Sequence, residues 1–453
     1  MGNKSFFRWF IFAILCLPLL SACGSSGGGA APVYNGLGTW TWISGSNIAN
    51  TRGVYGIKST AASSNLPGAR QNAVSWTDTL GNRWLLGGYG YDSQGNLGFL
   101  NDIWEFNTTL NQWMWVSGPS TVNITANYGT INTPAGTNLP GARGGAVSWY
   151  DGTNLWLFGG FGYDTANLGI LNDLWKFDGT NWTWVSGAAT VNAKTTTVPG
   201  ARELAVSWID ASKTLWLFGG NGYDSAGSLG YLNDLWKFST GTWTQVNGST
   251  TVANATGVYG TINTPAGTNV PGSRYGAVPW YDGANSWLFG GTGYDTAKLG
   301  ILNDLWKFDG ANWTWVSGAN TVNNAGIYGS YGTVASTNVP GSRRYSISWI
   351  DATKNLWLYG GDGYDSNKSL GYLNDLWKFN GTNWTWYNGS SIVNAAGNYG
   401  TLGIAASTNV AGARGAAVAW YDGTYKLLWL FGGYGRDATG TMGFLSDLWE
   451  FQP

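Results

Sequence analysis

The chain has 453 residues, with 23 Lys and Arg against 24 Asp and Glu, so its net charge is −1 and only 10% of its residues are charged. That balance leaves no basic footprint for nucleic acid, and the absence of histidine removes Ser-His-Asp triads, histidine-ligated zinc and histidine general bases. The remaining profile, 30 Trp, 24 Tyr and 71 Gly, is that of a tightly packed all-β protein with many turns.

In chain order, the first element is an export signal over 1–22. Lys4 and Arg8 precede a short apolar run at 10–20, which is too short for a comfortable membrane span but suits a signal peptide. It ends in Leu20-Ser21-Ala22-Cys23, which resembles the bacterial lipobox. The resemblance implies lipidation of Cys23, and the Gly/Ser/Ala stretch that follows within 23–33 reads as a flexible tether. Gly24 after the cysteine implies outer-membrane delivery among Gram-negative lipoproteins, with the cell surface or periplasm as alternatives. The expected address is the cell envelope, with membrane contact through the lipid only. Cys16 lies inside the signal and Cys23 is the anchor. Since these are the only two cysteines, the folded part has no disulfide, thiol nucleophile or cysteine metal site.

From residue 34 onward the chain repeats. Pro-Gly-Ala/Ser-Arg recurs with its arginine at Arg70, Arg143, Arg202, Arg274 and Arg343, and Ala-Gly-Ala-Arg ends at Arg414. In each unit four short segments follow. In the second they are Ala146-Val147-Ser148-Trp149, then Leu155-Trp156-Leu157-Phe158-Gly159-Gly160, then Asn172-Asp173-Leu174-Trp175-Lys176-Phe177, then Trp182-Thr183-Trp184-Val185. The first three are nearly continuously apolar, as strands buried on both faces are, and the last alternates like an outer strand. Every tryptophan except Trp9 falls at such repeated positions. Four antiparallel strands repeated radially make propeller blades.

The Phe-Gly-Gly pair, the Asn-Asp-Leu-Trp strand and the terminal Trp strand resemble the kelch repeat over about 34–453, with units longer than those of ordinary kelch domains. The fold expected is all-β, a six-bladed kelch-type propeller of the superfamily that includes the galactose oxidase central domain. The sixth unit stops at Asp447-Leu448-Trp449-Glu450-Phe451 and lacks a fourth strand, while Thr39-Trp40-Thr41-Trp42 stands at the N-terminus. The N-terminal strand is therefore expected to complete the last blade, leaving no open sheet edge.

Alternating connections place the 2–3 loops, read as Gly-Tyr-Asp loops of about ten residues, and the 4–1 loops on one face. The 4–1 loops reach 21 residues at 119–139, and five of the six carry a Tyr-Gly element (Tyr55, Tyr128, Tyr259, Tyr328, Tyr399). This face, with its added mass expected around the channel mouth, is the one to search for function. The repeated Arg, the Gly-Tyr-Asp aspartates and the Asn-Asp pairs are expected to cap turns and to pair with one another. No cofactor is implied, although Asp92-Ser93-Gln94-Gly95-Asn96 offers oxygen ligands of the kind that hold Ca²⁺.

Two positions vary where the repeat is otherwise fixed. After the arginine stand Gln71, Gly144, Glu203, Tyr275, Arg344 and Gly415, and after each Gly-Gly stand Tyr89, Phe161, Asn221, Thr292, Asp362 and Tyr434. Two such rings near one mouth would form an asymmetric polar and aromatic pocket, the form expected of a small-ligand site. Glu203 is one of three glutamates and alone lies off the repeat. The 4–1 loop before it, 188–198, is the short one and lacks Tyr-Gly, which predicts a notch in the rim. The competing reading gives Glu203 a salt bridge to a neighbouring arginine.

The functional expectation is a binding propeller for a glycan or a protein. Two alternatives stand beside it. One is a metal-independent carbohydrate-active enzyme resembling sialic acid mutarotase, with Glu203 and Arg344 in acid–base and carboxylate-binding roles. The other is an envelope scaffold or adhesin without a pocket. The copper chemistry of galactose oxidase needs histidines and a cysteine-linked tyrosine, which the folded part lacks.

Overall fold

A computed structural model describes residues 37–424 and 426–453; the expected signal, lipidated Cys23 and tether lie outside them. Seven antiparallel sheets form a six-bladed propeller, with blades at 70–117, 143–186, 202–247, 274–317, 343–388 and 414–452, the last divided into an inner three-stranded and an outer four-stranded sheet. The ring closes as expected. Strand Thr39–Ser44 pairs antiparallel with Leu448–Gln452, Trp40 opposite Phe451 and Trp42 opposite Trp449, and becomes the outer strand of blade 6. Each of the six apolar core clusters draws on two adjacent blades; Val74, Trp76 and Ile103 of blade 1, for example, pack with Leu157, Trp175 and Trp182 of blade 2. No blade buries its faces alone, so the blades stabilise one another around the ring.

The repeated polar residues form one network per blade. In blade 2 the Arg143 guanidinium donates to both Asp173 carboxylate oxygens at 2.6 and 2.7 Å, to the Gly159 carbonyl and to the Gly141 carbonyl. The Tyr128 hydroxyl and the Trp175 indole donate to Asp173 as well. The ion pair recurs in all six blades with both side chains at most 3% exposed. The Gly-Gly pair is required by this arrangement. Gly87 and Gly88 have φ of 63° and 98°, and a Cβ on Gly88 would lie 2.6 Å from the Gln71 carbonyl, so no other residue fits without strain.

Strand 1 is broken in two in every blade, as in Arg143–Gly144 and Val147–Tyr150. The break contains Asn72, Gly145, Leu204, Gly276, Tyr345 and Ala416, all with φ between 53° and 65°. Left-handed backbone is unfavourable for Leu, Tyr and Ala, and here it is held by a closed ring of backbone hydrogen bonds. Each N–H donates to the carbonyl of its counterpart in the preceding blade, from Asn72 to Ala416 and round to Gly145 to Asn72, at 2.7–2.9 Å. At ordinary strand spacing such a hexagon has a radius of about 5 Å, so a collar of backbone narrows the channel below the mouth. The mouth above it is a cup with this collar at its base.

Three expectations about the connections are corrected. Gly-Tyr-Asp is not a loop of ten residues, because strands 2 and 3 run on through it (Leu155–Tyr163 and Leu168–Phe177) and only 164–167 turn. The aspartate caps that turn; Asp92 accepts the Gln94, Asn96 and Val122 amides, and these bonds hold its carboxyl below its usual range although its burial opposes them. Among the described residues no three Asp or Glu side chains cluster together.

The long 4–1 loops do not crowd the mouth. Their tyrosines are buried on the core aspartates, and the segment beyond lies along the outer strand of the blade that follows; Ala135, for example, bridges Trp182. Outer strands are therefore sheet edges after all, covered in five blades by Ala62, Ala135, Ala266, Ala335 and Ala406. Blade 3, after the short loop, has no such bridge among the described residues.

Breaking one network tests its weight. Asp173→Ala strands a buried guanidinium and is expected to cost about 3–5 kcal/mol, whereas Tyr128→Phe removes one charge-assisted bond and costs about 1.5–3 kcal/mol. Urea unfolding midpoints at unchanged slope read both.

Candidate functional site

The two variable rings of the sequence are direct cross-strand neighbours. Gln71 pairs with Tyr89, Gly144 with Phe161, Glu203 with Asn221, Tyr275 with Thr292, Arg344 with Asp362 and Gly415 with Tyr434. All ten proposed residues therefore fall in one belt just above the backbone ring, carried by strands rather than loops. Strand 3 adds a third row that the sequence reading missed, with Phe99 opposite Tyr89, Tyr231 opposite Asn221, Tyr372 opposite Asp362 and Phe444 opposite Tyr434. Its signal is the varying residue two places before each Asn-Asp or Ser-Asp pair. Tyr345, in the left-handed break, was missed too.

The belt divides by chemistry. An aromatic arc runs from Tyr372 through Tyr434, Phe444, Tyr89 and Phe99 to Phe161, with centroids 4.9–5.8 Å apart at each step. It crosses blades 5, 6, 1 and 2. The polar arc spans blades 3 to 5. There the Arg344 guanidinium donates to Asp362 at 2.8 Å, to the Tyr275 hydroxyl at 3.1 Å and to Thr292 at 3.3 Å, and it lies 5.3 Å from the centre of the Tyr345 ring. Tyr231 packs against Tyr275 with the rings tilted at 47° and their centroids 4.8 Å apart, and burial raises its hydroxyl pKa to about 12. Arg344 is thus engaged and its charge offset by Asp362, which removes it as a free binder of a ligand carboxylate.

Glu203 differs. Its Oε1 accepts one hydrogen bond, from Asn221 Nδ2 at 3.1 Å, and among the described residues no cation lies within ion-pair distance. The salt bridge to a neighbouring arginine does not form, because Arg202 is committed to Asp234. Burial pushes the Glu203 carboxyl up to about 7, and the Asn221 donor only partly opposes it. Belt side chains bridge the blade interfaces by ring contacts or hydrogen bonds at 6–1, 1–2, 3–4, 4–5 and 5–6. Between blades 2 and 3 no such contact is found among the described residues, and Gly144 and Gly145 supply no side chain there. Glu203 stands at that gap, on the blade that the short loop enters.

Compared with known proteins, the chain matches no family model and no curated protein sequence.

The raised carboxyl has a consequence for stability. The native state binds the Glu203 proton more tightly than the unfolded chain, so the contribution of this group to stability is greatest below pH about 4.5 and is lost as pH rises to about 7, where the loss levels off. Glu203→Gln removes this dependence. Its melting temperature is expected to match the wild type at pH 4.5 and exceed it above pH 7, as a pH series of calorimetric scans would record.

Proposed function

We propose that the protein is a secreted, lipid-anchored propeller of the kelch type that binds an uncharged glycan in the cup at the channel mouth. The observation that carries the reading is the Glu203 carboxyl, which has one hydrogen bond, from Asn221, and no cation beside it among the described residues. It sits at the gap in an otherwise continuous belt, between an aromatic arc and a set of hydroxyl and amide groups. Sugars present an apolar face to aromatic rings and hydroxyls to carboxylates, amides and phenols, and a pocket of few placed polar groups among aromatics suits them. Charge favours a neutral ligand over an acidic one, because Asp362 offsets Arg344 and Glu203 adds a partial negative charge. The long loops are spent on the outer strands and leave the cup to a small ligand.

Isothermal titration of soluble residues 34–453 with neutral oligosaccharides and with sialic acid tests this. A neutral sugar is expected to bind, the acidic one to bind more weakly, and Glu203→Gln to weaken binding about tenfold, or about 1.4 kcal/mol. Stronger binding of sialic acid, or neutral-sugar binding indifferent to Glu203→Gln, would overturn the assignment. One observation favours a second reading, catalysis on the sugar: a carboxyl near pKa 7 is suited to exchange protons at neutral pH. Anomer interconversion followed by NMR, lost in Glu203→Gln, is its readout.

A further inference from the structure

Blade 3 has an outer strand unlike the others. In Thr242–Asn247, Thr242, Thr244, Gln245 and Val246 are exposed, Val246 by 37%, whereas the outer strands of blades 1, 2, 4, 5 and 6 contain no exposed residue. The cause is the missing cover. In blade 2 the covering segment binds the edge at three points: the Asn132 amide donates to the Trp184 carbonyl at 2.7 Å, and the Ala135 amide and Asn138 Nδ2 donate to the Trp182 carbonyl at 3.4 and 3.0 Å. The first and third donors recur on blades 1, 4, 5 and 6, where the third comes from Asn65, Asn269, Asn338 and Asn409, and the alanine amide bond recurs on blade 1. On blade 3 no segment donates to the matching carbonyls of Trp243 and Gln245 among the described residues, and the 188–198 loop is too short to supply one.

An open edge presents a row of unpaired backbone groups, and proteins usually defend such an edge with charge, proline or a bulge at its exposed positions. Residues 242–247 carry no charge and no proline, and the bulge at Val246 recurs on the edges of blades 2 and 4, where it does not prevent a covering segment from pairing. The segments that cover the sibling edges, 132–138, 263–269, 332–338 and 403–409, are uncharged as well, so the two surfaces match in charge as well as in hydrogen bonding. We propose that the outer strand of blade 3 is a docking edge that takes an extended, uncharged segment of a partner polypeptide. That segment would occupy the place the 4–1 loop fills in the other blades and would add to the sheet by strand augmentation. This surface lies at the opposite edge of the blade from Glu203 and stands independently of the glycan reading.

The probe is the decapeptide of residues 130–139, Thr-Ile-Asn-Thr-Pro-Ala-Gly-Thr-Asn-Leu, and the readout is hydrogen exchange across 242–247 at millimolar peptide. Saturable protection of about tenfold, or about 1.4 kcal/mol, is expected in the wild type. It should be absent after replacing 188–198 with residues 119–139, which covers the edge in cis and supplies a tyrosine to Asp234. Val246→Lys, a change at an exposed position that leaves the core intact, should weaken the protection without that graft. No protection in the wild type, or equal protection in both variants, overturns the proposal. A wild-type dimer that the graft dissociates overturns it in favour of a second copy of the chain as occupant.

Discussion

The buried arginine–aspartate pair is the constraint on which the other repeated features depend. A guanidinium and a carboxylate with almost no exposure are tolerable only when most of their donors and acceptors are met. Arg274 shows how this is done: two bonds reach Asp304, one the Gly290 carbonyl and one the Gly272 carbonyl, while Tyr259 and Trp306 complete the aspartate. The Pro-Gly bend, the first glycine of Gly-Gly, the Asn-Asp aspartate, the following tryptophan and the loop tyrosine are parts of one network. Removing the aspartate, tryptophan or tyrosine side chain takes a bond from the network, and replacing the first glycine of Gly-Gly strains the backbone that presents its carbonyl. Their joint recurrence is explained by satisfaction of hydrogen bonds, with no functional role required.

That network fixes where strand 1 begins, and hence where the next two residues fall. The residue after the arginine joins the belt, and the one after that enters the left-handed ring. Leu204, Tyr345 and Ala416 adopt a backbone that their side chains disfavour, because each must both donate and accept in the closed circle. The belt above is therefore held on paired strands over a rigid collar. A site so supported keeps its side chains close to one geometry, which is the arrangement a specific binding site needs.

Blade number, ring closure and the two variable rings were legible in the sequence because each is a matter of position within a repeat. Gln71 and Tyr89, or Arg344 and Asp362, could be placed near one mouth by counting from fixed marks, although only the register shows that they are direct partners. The direction of the long loops was not legible. Their length and the recurrence of Tyr128 and its counterparts fit equally a crowded rim or a brace along the outer strand, and the difference lies in which carbonyls remain unpaired on that strand. Nor could sequence show that Asp362 occupies Arg344, since both residues stand alone in their rings and each reads as free.

The irregularities of blade 3 have one origin. Shortening the 4–1 loop removes the tyrosine from the Asp234 network, leaving that aspartate to Arg202 and Trp236, and it removes the cover from Thr242–Asn247. The same blade carries Glu203, the carboxyl that burial holds near pKa 7 without a cation. In a ring whose other blades follow one scheme, each of these departures forgoes a stabilising interaction that the fold supplies elsewhere. In the other blades the aspartate of each network has its tyrosine and the outer edge has its covering segment. The side chains and backbone groups of blade 3 that are left unpaired are those with hydrogen-bonding capacity still to give, at the mouth through Glu203 and at the outer edge through the Trp243 and Gln245 carbonyls.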